Sequence, residues 1–271
     1  ETNYTRQDLT IDEANDWDYT NRNIFFNLGS EYFFDDNTSL TISGFYKKGD
    51  DFSNLTNVVN DISGGAISST NNRLRDETEI DESFEYAMDF YKDYDRDGQT
   101  LSARISYEES DDDGLEDIED FATFPSISET IFEKVSNIDF QKRLLGQVDF
   151  IYPIDKESEF EFGYRGSFKE RETDYDVSFL TGNSFVSDSG LSNIFNYKES
   201  VNSLYTQFGK KFDKLSALFG LRYENSRQEI NQKTTNQFEI KKYSDLFPTL
   251  NLAYEFSSQE SLTFGYSKRI R

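Results

Sequence analysis

Asp93, Asp95 and Asp97 alternate in DYDRDG (93–98), with glycine at the sixth place, the opening pattern of a calcium loop. A loop of that kind is flanked by helices and closes with a bidentate carboxylate at its twelfth position. Counting from Asp93, the twelfth position is Arg104, a cation. The flanks alternate with period 2, so the stretch reads as a hairpin turn with Gly98 at a positive φ. SDDDGLEDIED (110–120) is the second acidic run. Asp111, Asp113 and Glu116 could chelate Ca²⁺ there, although a charge run is most often a solvated surface. A third constellation mixes signs: Arg104, Glu108, Glu161, Arg165, Lys169, Arg222 and Glu224. Carboxylates beside cations can serve acid–base catalysis. Lining a watery interior is the better expectation for these seven.

Other chemistry is excluded by composition. The chain has no His and no Cys. That removes Ser–His and Cys–His nucleophile pairs, the usual zinc ligands and any disulfide framework. No enzymatic activity is expected, and no cofactor beyond Ca²⁺ in an exposed loop. A net charge of -24 argues against nucleic acid, whose phosphates attract Lys and Arg. No window approaches the apolar length of a membrane helix.

The elements that position these residues are legible as strands. Turn clusters DDNT (35–38), DRDG (95–98), DKES (155–158), DKLS (213–216) and SSQE (257–260) punctuate the chain. Alternating stretches flank each one. In 100–108, Leu101, Ala103, Ile105 and Tyr107 share a face opposite Ser102, Arg104, Ser106 and Glu108. In 159–169, Phe160, Phe162, Tyr164 and Phe168 oppose Glu161, Arg165 and Lys169. Segments 217–224 and 261–267 repeat the pattern, and incoming arms fall near 24–34, 84–94, 142–152, 202–212 and 246–256. Period 2 is the strand signature. Ten strands in five tight hairpins result.

Between the hairpins run long polar stretches, read as external loops near 50–83, 110–141, 170–200 and 229–245. Short turns at one end and long connections at the other are how outer-membrane barrels are built. A periplasmic β-sandwich would also alternate. The one-sided asymmetry and 26 Phe with 17 Tyr favour lipid outside and water inside. The expected fold is all-β, an antiparallel up-and-down transmembrane β-barrel of about ten strands over residues 1–271. Rings in the external stretches are candidate ligand contacts: Phe121 and Phe124, then Phe179, Phe185, Phe195 and Tyr197.

LYTQFGKKFDKLSALFGLRYENS (204–226) and YSDLFPTLNLAYEFSSQESLTFGYSKRIR (243–271) resemble the barrel of TonB-dependent outer-membrane receptors, and more narrowly the outer-membrane β-barrel family. FYKDYDRDGQTLSARISYEES (90–110) is similar to that family's strand–turn–strand pattern. The resemblance covers roughly 80–271, and 1–23 carries little of it. It implies energised import of a bulky nutrient (siderophore, glycan or peptide) across the outer membrane of a Gram-negative bacterium. It also implies a plug domain, a TonB-type energy-coupling protein and outer-membrane lipid as partners. No plug is legible in these residues, and the family's barrels have about twice the strands counted. An omptin-like protease also has ten strands, but its chemistry uses a histidine. If 24–34 descends to a periplasmic turn, the chain ends outside the cell at Arg271. The expectation is therefore an open arc of a larger barrel, with two free edges. A passive porin, or a structural or adhesive barrel whose acidic loops bind partners, is the alternative.

Overall fold

The computed structural model describes residues 2–6, 9–257 and 259–269. It contains β1 (Thr2–Arg6), β2 (Leu9–Asp35), β3 (Thr38–Ser63), β4 (Ala66–Asp93), β5 (Thr100–Phe124) and β6 (Ile131–Asp155). β7 (Ser158–Thr181), β8 (Ser184–Ser187), β9 (Asn193–Phe212), β10 (Leu215–Gln232), β11 (Gln237–Ser257) and β12 (Glu260–Ser267) follow. All lie in one antiparallel sheet in chain order, except that β8 is a short flap pairing β7 alone. Among the described residues no ladder joins β12 to β2, so the sheet is an open arc. The predicted external end at Arg271 lies outside the described residues.

Five short turns stand where the turn clusters predicted them. Gly98 takes φ +80° and Asp213 takes φ +50°. At two of the turns an aspartate caps the backbone, accepting from the Asn37 N–H (2.9 Å, Asp35) and the Glu157 N–H (2.8 Å, Asp155). This is the local bond for which Asp is favoured in turns.

The long connections differ from expectation: they are strand, not loop. β3 and β4 run 26 and 28 residues, and their ladder continues to Ser63↔Ala66 before turning at Gly64 and Gly65, both at positive φ. Segments 110–141, 170–200 and 229–245 are likewise mostly ladder, interrupted near 125–130, 182–192 and 233–236. Residues 49–63 alone continue the strand about 50 Å along its own direction, past the apolar zone. The alternation fades there because water wets both faces, so no apolar stripe marks the strand.

Below that level the outer face is an apolar band. One row across nine strands reads Tyr32, Leu40, Phe90, Ala103, Val148, Tyr164, Leu204, Tyr223 and Leu246. A lower row joins Phe160, Phe208, Phe219, Leu250 and Tyr266. Among the described residues no second layer covers these rings: Phe26 is 59%, Phe162 49% and Phe264 56% exposed. Exposed apolar area of this extent is stable only against hydrocarbon. Among the described residues the buried apolar side chains are Ala87, Ile118, Val135, Val177 and Ala217. Ile118, Val135 and Val177 form one cluster, with Phe179 packed on it, on the inner face of the upper β5–β7 wall.

Candidate functional site

The register sends all seven mixed-sign residues to the inner face. Arg104, Arg165 and Glu224 lie in one row, Asp89↔Arg104↔Gln147↔Arg165↔Ser203↔Glu224↔Asp245. Glu108 and Lys169 lie two rows above, with Arg143 between them, past an uncharged row of Ala87, Ser106, Leu145, Ser167 and Val201. Arg222 shares the row below with Tyr205, Gly163 and Asp149, and Glu161 pairs Gln207 one row lower.

Several of these groups are paired, Arg222 with Glu224 and Arg104 with carboxylates of β4. Arg104 bridges Asp89 at 3.2 Å and Glu85 at 3.4 Å. Arg222 donates to Ser203 Oγ (2.6 Å) and pairs with Glu224 (2.9 Å). Gln207 donates to Glu161 at 3.1 Å, and Arg165 to Gln147 at 3.5 Å. Tyr205 reaches across Gly163 to donate its hydroxyl to Asp149, tying three strands together. Fixed dipoles and charges of this kind make a polar wall suited to water.

Above the membrane the inner face turns acidic. Asp81, Asp112 and Asp139 stand directly opposite one another, and Asp51 opposes Glu79. Like charges across a ladder repel. Burial pushes the Glu79 and Asp112 carboxyls up, each further raised by neighbouring acids. Lys47 relieves Asp81 at 2.7 Å, and Arg171 grips Asp139. Arg73 bridges Asp120 and Glu133, both at 3.2 Å, while Arg75 bridges Glu77 (3.4 Å) and Glu116 (3.6 Å), closing over the Ile118 cluster.

The calcium candidates do not converge. Asp111 and Asp113 fall on the outer face of β5, whereas Glu116 falls on the inner face opposite Val135. Strand alternation separates them, and among the described residues no acidic group has the geometry to hold a metal. The candidate ligand rings divide too. Phe195 and Tyr197 stack on the inner wall of β9, with planes 11° apart, and Phe179 packs on the inner cluster. Tyr197 donates to Glu199 at 3.0 Å, and burial with that bond pushes its hydroxyl up to about 12, so it stays a donor. Phe121 takes the outer face, Phe124 ends β5, and Phe185 lies on the flap under Lys134 Nζ at 5.2 Å.

A pattern the sequence reading passed over also lies on the inner wall. Trp17, Tyr19, Asn21 and Asn23 alternate along β2, in the same register as Leu55, Ser53, Asp51 and Gly49 of β3. Their period-2 spacing was the available signal.

Residues 92–271 match the model of the outer membrane protein beta-barrel family. The chain belongs to that family. It resides in the outer membrane of a Gram-negative bacterium, the membrane against which the apolar band fits. Among solved structures it is similar to the open form of the ferric-catecholate import receptor Fiu from Escherichia coli. Identity there is 10%, coverage 97% of this chain and 54% of that one, and the TM-score 0.51. The siderophore receptor PiuA from Acinetobacter baumannii matches at 8% identity, 98% and 50% coverage and TM-score 0.49. The outer membrane protease OmpT of Escherichia coli aligns over 92% of this chain and 96% of its own, at 9% identity and TM-score 0.29. The chain thus spans about half the length of the receptors it matches. A comparison with curated protein sequences finds no match.

Proposed function

We propose that this family member forms part of the wall of a TonB-dependent importer that admits a bulky nutrient. The inner face supports the reading: three consecutive rows carrying charges and amides run across the arc at membrane depth, and the charged row Glu108–Arg143–Lys169 lies two rows above them. An open arc of nine long strands belongs to a larger barrel, with an interior too wide for its own side chains to fill. A plug domain would rest against the paired rows, and a TonB-type coupling protein would supply the energy to move it. The upper sheet would receive the ligand, and Phe179, Phe195 and Tyr197 are the predicted contact rings that face inward.

Uptake in whole cells tests this. Dissipating the proton gradient should abolish uptake of the cognate nutrient while leaving surface binding intact. Flux that persists without the gradient would replace the importer with a passive porin, and binding without any flux would favour the adhesive alternative.

A further inference from the structure

We propose that the inner face of β2 and β3 above the membrane is a binding strip for a neutral oligosaccharide. The inference rests on the import reading and names the substrate class.

Trp17 and Tyr19 point into the vestibule, 61% and 51% exposed, with ring centroids 5.6 Å apart and planes tilted by 45°. Two large rings held bare in water are costly unless something covers them. The same face continues directly into planar polar groups. The Tyr19 hydroxyl donates to Asp51 Oδ2 at 2.7 Å, the Asn21 amide donates to the other Asp51 oxygen, and the Asn23 amide donates to the Asn21 carbonyl. These bonds fix the orientation of each group while leaving capacity unspent: the second amide hydrogens, the Asn23 carbonyl and the outer carboxylate lone pairs. Gly49 is part of the arrangement. A Cβ there would stand 2.9 Å from Asn23 Oδ1 and would also clash with Asp81, so only glycine lets both side chains fold over the strand.

A sugar presents a C–H face and, at its rim, hydroxyls that both donate and accept. Rings at a sugar-sized spacing, followed by oriented amides and a carboxylate, match both surfaces at once. An anionic chelate is a poor fit, because Asp51 faces Glu79 and the row Asp81–Asp112–Asp139 lies alongside. A small metal ion is a poor fit as well, since no acidic group here has ligating geometry among the described residues.

The test is calorimetric titration of the intact protein in detergent with hexasaccharides of α-1,4-glucose, β-1,4-glucose, β-1,4-xylose and β-1,4-mannose. A ferric catecholate complex is the anionic comparison. At least one hexasaccharide should bind. Trp17→Ala and Asn23→Ala should each weaken that binding about tenfold, and Trp17→Phe should stay within about threefold, as expected when one stacked or bonded anchor is truncated. Unchanged gel mobility of the folded variants excludes misfolding as the cause. Binding by none of the four hexasaccharides overturns the proposal. So does an affinity that Trp17→Ala leaves within about twofold. Gradient-dependent uptake of the ferric complex that is indifferent to Trp17→Ala would overturn the strip and leave import standing. Ring-dependent hexasaccharide binding without gradient-dependent uptake would uphold the strip and remove import.

Discussion

Gly163 offers a direct test of the inner-face geometry. Tyr205 lies flat across it on the way to Asp149, so a Cβ at 163 would stand inside the ring. Gly163→Ala must therefore swing Tyr205 off its acceptor. A hydrogen bond to a charged group contributes about 1.5–3 kcal/mol. The alanine returns about 0.4–1 kcal/mol by restricting the unfolded chain. The net loss is about 0.5–2.5 kcal/mol. Gly146 on the neighbouring strand is the control, because a Cβ there meets nothing within 4 Å. Gly146→Ala should be stabilising by the same backbone term, placing the two variants about 1.5–3 kcal/mol apart. The assay is a urea titration of protein folded into vesicles, read as loss of the compact band on an unheated gel. The penalty at 163 should also shrink in a Tyr205→Phe background, which has no hydroxyl to displace. A Gly163→Ala protein indistinguishable from Gly146→Ala, or one whose penalty survives Tyr205→Phe unchanged, would refute the reasoning.

Ala103 and Ser102 are adjacent but face lipid and interior respectively, so Ala103→Arg should cost about 2–4 kcal/mol on folding into vesicles while Ser102→Arg stays within about 1 kcal/mol. Ile118 is 3% exposed at the centre of the upper cluster. Ile118→Ala should cost about 2–4 kcal/mol, and amide exchange should show the loss in the upper β5–β7 wall while the membrane-level ladders stay protected. Glu79 and Asp112 have folded pKa values raised first by burial and then by neighbouring carboxylates, Asp112 and Asp51 acting on Glu79 and Asp139 and Asp81 acting on Asp112. They therefore weaken the upper wall at neutral pH, and lowering pH through their raised values toward the ordinary carboxylate range near about 4 should restore protection. Asp112→Asn should reproduce that gain at pH 7 and flatten the response, measured as exchange corrected for intrinsic rates. Asp35 and Asp155 act in the opposite sense, since the backbone N–H groups they accept hold them below the usual value. Their contribution is present at neutral pH and fades as acid protonates them.

At membrane depth the sequence was readable because lipid and water impose opposite demands on neighbouring residues. Leu101, Ala103, Ile105 and Tyr107 against Ser102, Arg104, Ser106 and Glu108 is the record of those demands, and the ladders keep the two sets on opposite faces of the sheet. The turns were legible for a local reason, since Asp35, Asp155 and Gly98 each perform a turn-specific job at their own position. Above the membrane neither cue operates. Asp111 and Asp112 face opposite sides of β5, yet both meet water, so nothing in their types reveals the strand. Reading 110–141 as loop made Asp111, Asp113 and Glu116 look like one cluster. The ladder splits them. Trp17 and Tyr19 were missed for the same reason, lying in a segment without an apolar partner face.

The strand character of the upper wall changes what it can do with a ligand. A flexible loop must be ordered on binding, at about 0.5–1.5 kcal/mol for each rotamer-rich side chain fixed. Residues on β2 and β3 are already ordered by a ladder that runs unbroken from Leu9↔Ser63 to Phe33↔Ser39, so rings and amides there meet a ligand with their spacing set. The repulsion stored in Asp81, Asp112 and Asp139 then has a physical counterpart in stiffness. Only a wall held by two full ladders can keep three carboxylates abreast. A loop carrying the same residues would simply move them apart.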